Sequence, residues 1–485
     1  MVSVDYGTIR SINELASIFS CQWANGMLPQ IRFAPLRPGT SEGRLTRPYR
    51  PDATDWGVDM DVSGATAMPT SGITQPPITG LCVYEVFRRI GPSARLSYHD
   101  LFVRMADALQ AYHDWLFRER DPQHEHLVAC IHPWETGTDN SPAFASLLES
   151  TDAYLETAEA FLQPLEYRRA DITYVKTSHR PTERDYRVYL GLLSLFRYHQ
   201  YNCRAIIEAT PFLLQDVLFN SIFCTSIRAL AHLQEELARS GDVSEAQTSL
   251  RRQSASNRAK ADQVASAIRG KLWDAESGYF YGYDLKGGRR LEVPTVSSFM
   301  PLLGDIANAE QGDFLIAHLT EDTGFGAYLP VASTWPGHPM FDPVRYWSGP
   351  VWPVTNWLIW RGLRERRSPL AVTIRSSTLK TIAEGVPYDE AARLATRVME
   401  ANSVGHDGIE YTTPSIQQYR HAWLWDSALT AISWPLVGEK PPAHPLDGSK
   451  PGFWEYYQTR TGAPLGAPYM TWTASLFLDM LAADM

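Results

Sequence analysis

SYHDLFVRMADALQAYHDW, residues 97–115, shows the pattern that decides the fold class. Its apolar side chains Leu101, Met105, Leu109 and Tyr112 recur every three or four residues, which places them on one face of an α-helix. A helix with one apolar stripe is stable in water only when that stripe is buried against another element. The stretch therefore predicts a helix that packs against its neighbours.

The same periodicity recurs along the chain. Strand-like runs are few and short, at Leu127–His132 and Tyr279–Asp284. Further helices are predicted at 151–162, 185–198, 216–239, 254–272, 313–319, 354–363, 368–385, 388–401, 421–434 and 470–485. The connectors that join them are rich in Pro, Gly and aromatic residues, chiefly at 34–77, 133–146, 322–349 and 437–468. Because long irregular connections in a compact domain are usually functional, we predict an all-α toroid of helical hairpins, a single domain over 1–485 with its long loops on one rim.

Composition limits the classes of partner. The 485 residues are 44% hydrophobic and 20% charged, which is typical of a globular chain with a sizeable core. The net charge of −10 argues against nucleic acid or an anionic membrane as the main partner. No stretch approaches the ~18 apolar residues of a membrane span. The sequence leaves self-association into a homo-oligomer open.

The cysteines and the first residues bear on the compartment. The five cysteines, an odd number without a CxxC pair, predict neither a disulfide framework nor a zinc site. The first 20 residues lack the basic stretch and apolar core of a secretory signal. We therefore expect a cytoplasmic protein.

Aromatic residues supply the first indication of a ligand. The chain has 15 Trp and 23 Tyr, many beside Gly, Pro and acids, as in HPWETGTDN, YWSGPVWP and WLWDS. Packing of a core does not require aromatic rings in such loop-like contexts. Flat rings stack on the apolar C–H faces of pyranoses, so the pattern predicts a sugar site.

Two carboxylates stand in such surroundings. IHPWETGTDNSPAF (131–144) places Asp139 near Trp134, together with Glu135, and GFWEYYQTRTG (452–462) places Glu455 among aromatic rings. A carboxyl against an aromatic wall has a raised pKa and suits a general acid, while a fixed carboxylate orients a water as general base. Each residue alone also fits a turn or surface acid. As a pair they are what glycoside hydrolysis needs.

Other side chains are candidates for substrate binding. YRHAWLWDSALTAI (419–432) presents three rings and an acid, Tyr419, Trp423, Trp425 and Asp426. Gln75 in SGITQPP is a candidate for a sugar hydroxyl, and Arg180 with Tyr186 in HRPTERDY for a carboxylate. The competing interpretations are a helix cap for Asp426, a turn residue for Gln75 and a surface ion pair for Arg180.

Metal and cofactor motifs are missing from the sequence. His132 and His421 do not form a metal-ligand spacing. HExxH, Walker, GxGxxG, GxSxG and CxxC patterns are also absent. We predict no metal and no cofactor.

A set of stretches resembles one known family. These are QWANGMLPQI, SGITQPP, HPWETGTDNSP, HRPTERDY, YWSGPVW, FWEYYQTRTG and WTASLFLDML, which span residues 22 to 481. Together they resemble the glucosylglycerate and mannosylglycerate hydrolases, small relatives of the processing α-glucosidases of glycoside hydrolase family 63.

This resemblance implies an (α/α)6 barrel, an inverting mechanism, no cofactor and a small-molecule glycoside as the partner. By the matching motifs, the general acid falls on Asp139 and the general base on Glu455. The sugar pocket falls on Tyr419, Trp423, Trp425, Asp426, Gln75, Trp134 and Trp352. The part that holds glycerate falls on Arg180, Tyr186 and Tyr346.

The chain departs from the family pattern in two places. YTTPSIQQYRHAWLWDSALTAI (411–432) is similar to the segment that opens the family's chains, but here it follows QWANGMLP. We expect this displaced segment, residues 409–436, to dock beside the helix at about 11–24 or to be exchanged between two protomers. In addition, Met470 stands where the glycerate hydrolases tend to have a Gln, and Met donates no hydrogen bond to a carboxylate.

The sequence thus predicts an inverting hydrolase of a small α-glycoside, with 2-O-α-glucosylglycerate or mannosylglycerate as the best choice. An α-glucosidase acting on neutral α-linked disaccharides is the first alternative. A sugar epimerase and a sugar-binding barrel without catalysis are the others.

Overall fold

Helices make up both layers of the fold. The computed structural model describes residues 5–33, 51–58, 69–158, 165, 169, 171–172, 175–239, 245–321, 324–406, 409–415, 419, 421–437, 439–440 and 453–483. Its α-helices are α1 Tyr6–Phe19, α2 Ala53–Trp56, α3 Thr79–Arg89, α4 Pro92–Ser97, α5 His99–Arg120, α6 Ala145–Ala158, α7 Glu183–Tyr198, α8 Cys203–Ala209, α9 Val217–Leu237, α10 Glu245–Ala267, α11 Ala309–Thr320, α12 Pro353–Glu365, α13 Leu370–Ile382, α14 Tyr388–Ala401, α15 Leu424–Ala431, α16 Trp434–Val437 and α17 Thr471–Ala482. Within this described part, no helix has both the length and the apolar character needed to cross a membrane.

Short elements connect the helices. The 3-10 segments are Pro133–Thr136, Pro142–Phe144, Thr177–His179, Val296–Asp305, Gly324–Ala327 and Tyr346–Ser348, and a short π-helix lies at Ile268–Leu272. The strands are β1 Ile31–Arg32, β2 Leu214–Gln215, β3 Trp273–Asp274, β4 Tyr279–Phe280, β5 Tyr283–Asp284, β6 Arg289–Arg290, β7 Ser403–His406, β8 Ile409–Thr412, β9 Ala422–Trp423, β10 Tyr456–Tyr457 and β11 Pro464–Leu465. They pair antiparallel as β1–β9, β2–β5–β6, β3–β4, β7–β8 and β10–β11.

Six buried elements close into an inner ring. In order around the ring these are α3, α9, Val296–Asp305, α12, α17 and α15, and α15 packs against α3 to complete it. α9 is buried over most of its length, as expected of a helix with neighbours on all sides. The side chain of Asp216 begins α9 by accepting a hydrogen bond of 2.8 Å from the Phe219 N–H.

Six helices pack around this ring. α1 packs on α15, α5 on α3 and α9, α10 on α9, α11 on Val296–Asp305, α13 on α12 and α17, and α14 on α17. Six inner elements, each with an outer partner, form the (α/α)6 barrel that the family resemblance implied, so the predicted fold class is confirmed.

The displaced segment occupies a place in the ring that differs from its place in the sequence. α15 precedes α17 along the chain but lies between α17 and α3 in space. It packs on α1, where the Ser11 hydroxyl donates to the carbonyl of Ala431 at 2.8 Å. The pairing of β1 with β9 places Ile31 opposite Trp423. The displaced segment thus lies against α1, the position that we expect for it.

Buried polar contacts also join α1 to the hairpin of β7 and β8. Arg10 of α1 donates to Glu410 at 2.9 Å and to the Ser403 hydroxyl at 2.8 Å, both on the hairpin that precedes α15. The hydroxyl of Thr412 donates to Glu14 of α1 at 2.7 Å. Hydrogen bonds between such distant residues specify one docking position, which apolar contacts alone do less well.

Some predicted elements differ from the observed ones. The expected strand Leu127–His132 is wrong, because only Cys130 pairs, in an isolated bridge with Leu214. The Val128 N–H instead donates to the Asn220 side chain, and the Asn220 amide donates back to the Val128 carbonyl, both at 2.9 Å. Tyr279–Asp284 divides into β4 and β5, which pair with different strands. Parts of several predicted elements lie outside the described residues: 34–50, 59–68, 159–162, 322–323, 416–418, 420, 438, 441–452 and 484–485.

Candidate active site

The pocket lies at the amino-terminal ends of the inner helices. Gln75 shortly precedes α3, Trp352 directly precedes α12, Met470 directly precedes α17 and Asp426 is in the first turn of α15. All twelve residues predicted for the site line this one pocket: Gln75, Trp134, Asp139, Arg180, Tyr186, Tyr346, Trp352, Tyr419, Trp423, Trp425, Asp426 and Glu455. The structure thus brings together side chains drawn from most of the chain.

A tight turn places Asp139 in the pocket. The 3-10 turn before it ends at Gly137, whose φ of 75° is in the region that favours glycine. A Cβ on Gly137 would lie 2.8 Å from the Trp425 ring, so the turn also requires a residue without a side chain. The Tyr189 hydroxyl donates to the Asp139 carbonyl at 2.9 Å and fixes the backbone.

The environment of Asp139 suits a proton donor. The residue keeps some accessible surface toward the pocket, while its carboxyl is enclosed by protein. This burial, with a smaller contribution from Glu455, raises the pKa of Asp139 to about 7. An acid with this pKa holds its proton near neutral pH and transfers it readily.

Glu135, the other carboxylate of the same motif, is structural. It is fully buried and accepts hydrogen bonds from both terminal nitrogens of Arg120, at 2.8 and 2.9 Å. It also accepts the backbone N–H groups of Ile131 and Thr74, at 2.8 and 3.2 Å. Because these contacts use both carboxylate oxygens and the residue does not line the pocket, Glu135 fastens the loop that carries Asp139.

Glu455 is held by a fork of charge-assisted hydrogen bonds. The terminal nitrogens of Arg180 donate to its two oxygens at 3.1 and 2.7 Å. The Tyr419 hydroxyl donates to it at 3.0 Å and the Ala467 N–H at 2.9 Å. Such contacts fix the orientation of the carboxyl group. At Gly466, where φ is 77°, a Cβ would lie 2.6 Å from this carboxylate.

Arg180 is positioned by the start of the following helix. Thr182 and Asp185 form a capping box that begins α7 two residues after Arg180. Arg345 donates to the Arg180 carbonyl at 3.2 Å, and the guanidinium lies 4.9 Å from the centre of the Tyr346 ring. The sequence assigned Arg180 to glycerate, whereas here both of its terminal nitrogens bind Glu455.

Aromatic rings form the walls. Trp352 stacks on Trp347 at 3.9 Å between ring centres and on Tyr456 at 4.6 Å. Its Nε1–H donates to the carbonyl of Tyr346 at 3.0 Å. Tyr346 has a φ of 39°, a strained conformation for a residue with a side chain. Rigid rings of this kind present flat apolar faces and few mobile groups to a ligand.

Comparison with known proteins identifies the family. The family model of the mannosylglycerate hydrolase MGH1-like glycoside hydrolase domain matches residues 8–392. The mannosylglycerate hydrolase of Rubrobacter radiotolerans is 36% identical in an alignment that covers 98% of this chain and 87% of that protein. The chain belongs to the MGH1-like glycoside hydrolase family.

Two further proteins are similar to this MGH1-like chain. The glucosylglycerate hydrolase of Mycolicibacterium hassiacum is 30% identical, over 78% of this chain and 80% of that protein. The crystal structure of a GH63 mannosylglycerate hydrolase from Thermus thermophilus superimposes with a TM-score of 0.69 and 25% identity, covering 98% of this chain and 95% of the other. The resemblance seen in the sequence is confirmed, and the chain is a glycoside hydrolase that acts on a small-molecule glycoside.

In this MGH1-like hydrolase, Asp426 and Gln75 lie on the same side of the pocket. Burial, together with the nearby charge of Glu455, raises the pKa of Asp426 to about 8. At neutral pH its carboxyl is therefore mostly protonated and is able to donate as well as accept a hydrogen bond. The Gln75 side-chain oxygen accepts the Trp425 N–H at 3.3 Å, which joins the loop before α3 to the displaced segment.

Several pocket residues of this MGH1-like hydrolase were not singled out from the sequence. Trp347 and Trp472 lie inside motifs that carried the resemblance, as does Gln30 in QWANGMLPQI. Ile31, Pro51, Gly137 and Asp171 also line the pocket. Asp171 lies in RRADITYV, where nothing in the sequence marks it, and it is bound by Arg169 at 3.1 and 2.7 Å. Met470, the departure from the family pattern, does line the pocket.

Histidines do not serve this pocket. Among the described residues that line it there is no histidine. His132 is fully buried, where its ring contacts the Tyr189 carbonyl and accepts the Trp134 N–H, both at 3.0 Å. Burial lowers the pKa of His132 to about 3, so the ring is neutral. The paired histidines that an epimerase would use are therefore not present in the described part of the pocket.

Proposed function

We propose that this protein hydrolyses an α-linked glycerate glycoside, mannosylglycerate or glucosylglycerate, to the sugar and glycerate with inversion at the anomeric carbon. One observation carries this proposal. A carboxyl with raised pKa, Asp139, and a carboxylate held by an arginine, Glu455, line the same aromatic pocket. Glycoside hydrolysis requires one protonated and one ionised carboxyl.

In the proposed reaction, Asp139 gives its proton to the oxygen that joins the sugar to glycerate. The bond from the anomeric carbon to that oxygen breaks, and a water attacks the carbon from the opposite face. Glu455 removes the proton of this water, so the new C–O bond has inverted configuration. The Arg180 fork holds the Glu455 carboxyl in place for that step.

The charge of the pocket is compatible with a leaving group that carries a carboxylate. Below about pH 7, Asp139 and Asp426 hold their protons, while the charge of Glu455 is paired with Arg180 and that of Asp171 with Arg169. The pocket is therefore not strongly negative. The Nε of Arg180 is buried without a hydrogen-bond partner among the described residues, so this guanidinium has an unused donor. We propose that this donor, beside Tyr346 and Tyr186, binds the glycerate carboxylate.

Met470 is the observation that favours a second candidate. It replaces a potential amide donor in the pocket, and the loss of one polar partner of a charged group costs about 1–3 kcal/mol. A neutral α-linked disaccharide does not need that donor.

A substrate panel tests the proposal against this candidate. Sugar release is measured for glucosylglycerate, mannosylglycerate and neutral α-linked disaccharides, with Glu455→Gln protein as the blank. We expect turnover of at least one glycerate glycoside that exceeds turnover of every neutral disaccharide. Release from neutral disaccharides only would show that the aglycone site differs from the one proposed.

The pKa of Asp139 predicts how activity depends on pH. A general acid works only when protonated, so kcat/KM falls as pH rises through the pKa of Asp139, about 7. Loss of the Asp426 proton near pH 8 adds to the fall. Because two protons are lost, we expect the fall to steepen toward about a hundredfold per pH unit well above both values, measured between pH 5 and 9.5. A flat profile between pH 7 and 9 would rule out Asp139 as the acid.

We also propose that the protein works in the cytoplasm without nucleic acid as a partner. The five cysteines are free thiols, four of them buried, and a reducing compartment preserves them. Self-association into a homo-oligomer stays a prediction, which light scattering after gel filtration tests directly.

A further inference from the structure

One buried polar side chain of the pocket has no partner. Gln30 is 6% exposed and lines the pocket, yet its carboxamide forms no hydrogen bond with any described residue. The buried side-chain oxygen is left unsatisfied. Buried polar groups are nearly always hydrogen-bonded, so an unpaired carboxamide in a binding pocket needs an explanation.

The backbone prevents Gln30 from moving away. Its N–H donates to the Ile73 carbonyl at 2.7 Å, and its carbonyl accepts the Leu424 N–H at 2.9 Å. The next residue, Ile31, pairs with Trp423 in the β1–β9 ladder. The side chain is thus held between the loop before α3 and the displaced segment.

Gln75, the other glutamine that lines this pocket, differs from Gln30 because its side chain has a hydrogen-bond partner in the protein. The Gln75 oxygen already accepts the Trp425 N–H, so that side chain serves partly to fasten the wall. The Gln30 side chain forms no such hydrogen bond with the described residues. The terminal torsion of a glutamine is broad and roughly two-fold, so rotation presents either the oxygen or the amide nitrogen to a ligand.

We infer that Gln30 is a specificity residue that hydrogen-bonds a hydroxyl of the sugar in the pocket. A sugar hydroxyl is both donor and acceptor, so it satisfies the carboxamide in either orientation. This inference rests on the proposed function for the identity of the ligand. It adds a contact from the residue just before β1, the strand that pairs with the displaced segment, so the docking that completes the ring also positions a group that binds the sugar.

The matched variants are Gln30→Met and Gln234→Met. Methionine is similar in size to glutamine and lacks its hydrogen bonds. Gln234 is the control, because it is fully buried outside the pocket and has partners: it donates to Gln253 at 3.2 Å and accepts from Asn257 at 2.9 Å. Removing a paired amide destabilises the fold, whereas removing an unpaired one does not.

The experiment measures binding of mannose, glucose and their monodeoxy analogues by tryptophan fluorescence, with melting temperatures of each protein. For Gln30→Met we expect about tenfold weaker binding of the preferred sugar and an unchanged or higher Tm without sugar. One deoxy analogue binds about tenfold more weakly than its parent to the wild type, but equally to Gln30→Met. Gln234→Met shows a lower Tm with unchanged sugar affinity.

Two results would overturn the inference. One is wild-type sugar affinity in Gln30→Met. The other is a deoxy series that falls in parallel in both proteins, because then no hydroxyl is coupled to Gln30. Sugar binding with this coupling but no hydrolysis of any glycoside would leave Gln30 as a sugar contact and refute the proposed function alone.

Discussion

Asp139→Asn protein is expected to hydrolyse glycerate glycosides at least a thousandfold more slowly than wild type, in kcat/KM. Asn has nearly the shape of Asp but no proton to give, so glycerate must leave as an unprotonated alkoxide. The backbone contact to Tyr189 does not involve the Asp139 side chain, so the loop keeps its position. The measurement is the initial rate of sugar release over a range of substrate concentrations.

A substrate that needs no acid supplies the control. The matching α-glycosyl fluoride leaves as fluoride without protonation. We expect Asp139→Asn to hydrolyse it within about tenfold of the wild-type rate, because only the acid step is lost. Equal losses on the fluoride and on the glycerate glycoside would mean that Asp139 supports the pocket rather than donating a proton.

Glu455→Ala protein is expected to lose activity by about four orders of magnitude and to recover part of it with azide. The substitution removes the base and leaves space beside Arg180, whose two terminal nitrogens then lack their carboxylate. A small anion fits there and attacks the anomeric carbon without needing a base. The product is the β-glycosyl azide, identified by NMR.

Glu455→Gln is the matched comparison for this variant. It retains the size of the side chain and one acceptor for Arg180, but it has no base and no space for azide. We expect Glu455→Gln to be as inactive as Glu455→Ala and to show no azide rescue. Formation of an α-azide, or rescue of both variants alike, would place the attacking group somewhere other than the Glu455 face.

Local sequence signals predicted much of the fold, where an apolar stripe was present. The helix at Tyr388–Ala401 was predicted with these limits because one face is apolar and the other charged. α3 was missed although its sequence is amphipathic, because it is only 11 residues long and follows directly on the connector predicted at 34–77. The apolar run at Leu127–His132 has the sequence pattern of a strand, but the backbone of its Val128 is bound by Asn220, about 90 residues away in sequence.

The candidate site, like the fold, was predicted where a local motif was present and missed where it depends on distant contacts. Asp139 and Glu455 stand in motifs, and the sequence pointed to both. The pairing of Glu455 with Arg180 joins residues 275 positions apart, and no local pattern encodes it. Gln30 stood within a motif, but its unpaired state became visible only when its surroundings were known.

The stereochemistry of the wild-type reaction tests the central claim most directly, because Glu455 as a base and Glu455 as a nucleophile give different products. Proton NMR of the first sugar released from an α-linked glycerate glycoside, recorded before mutarotation, identifies the anomer. Inversion through a water on Glu455 predicts the β-anomer. The α-anomer as the first product would mean two displacements through a covalent intermediate, and would contradict the roles proposed for both carboxyls.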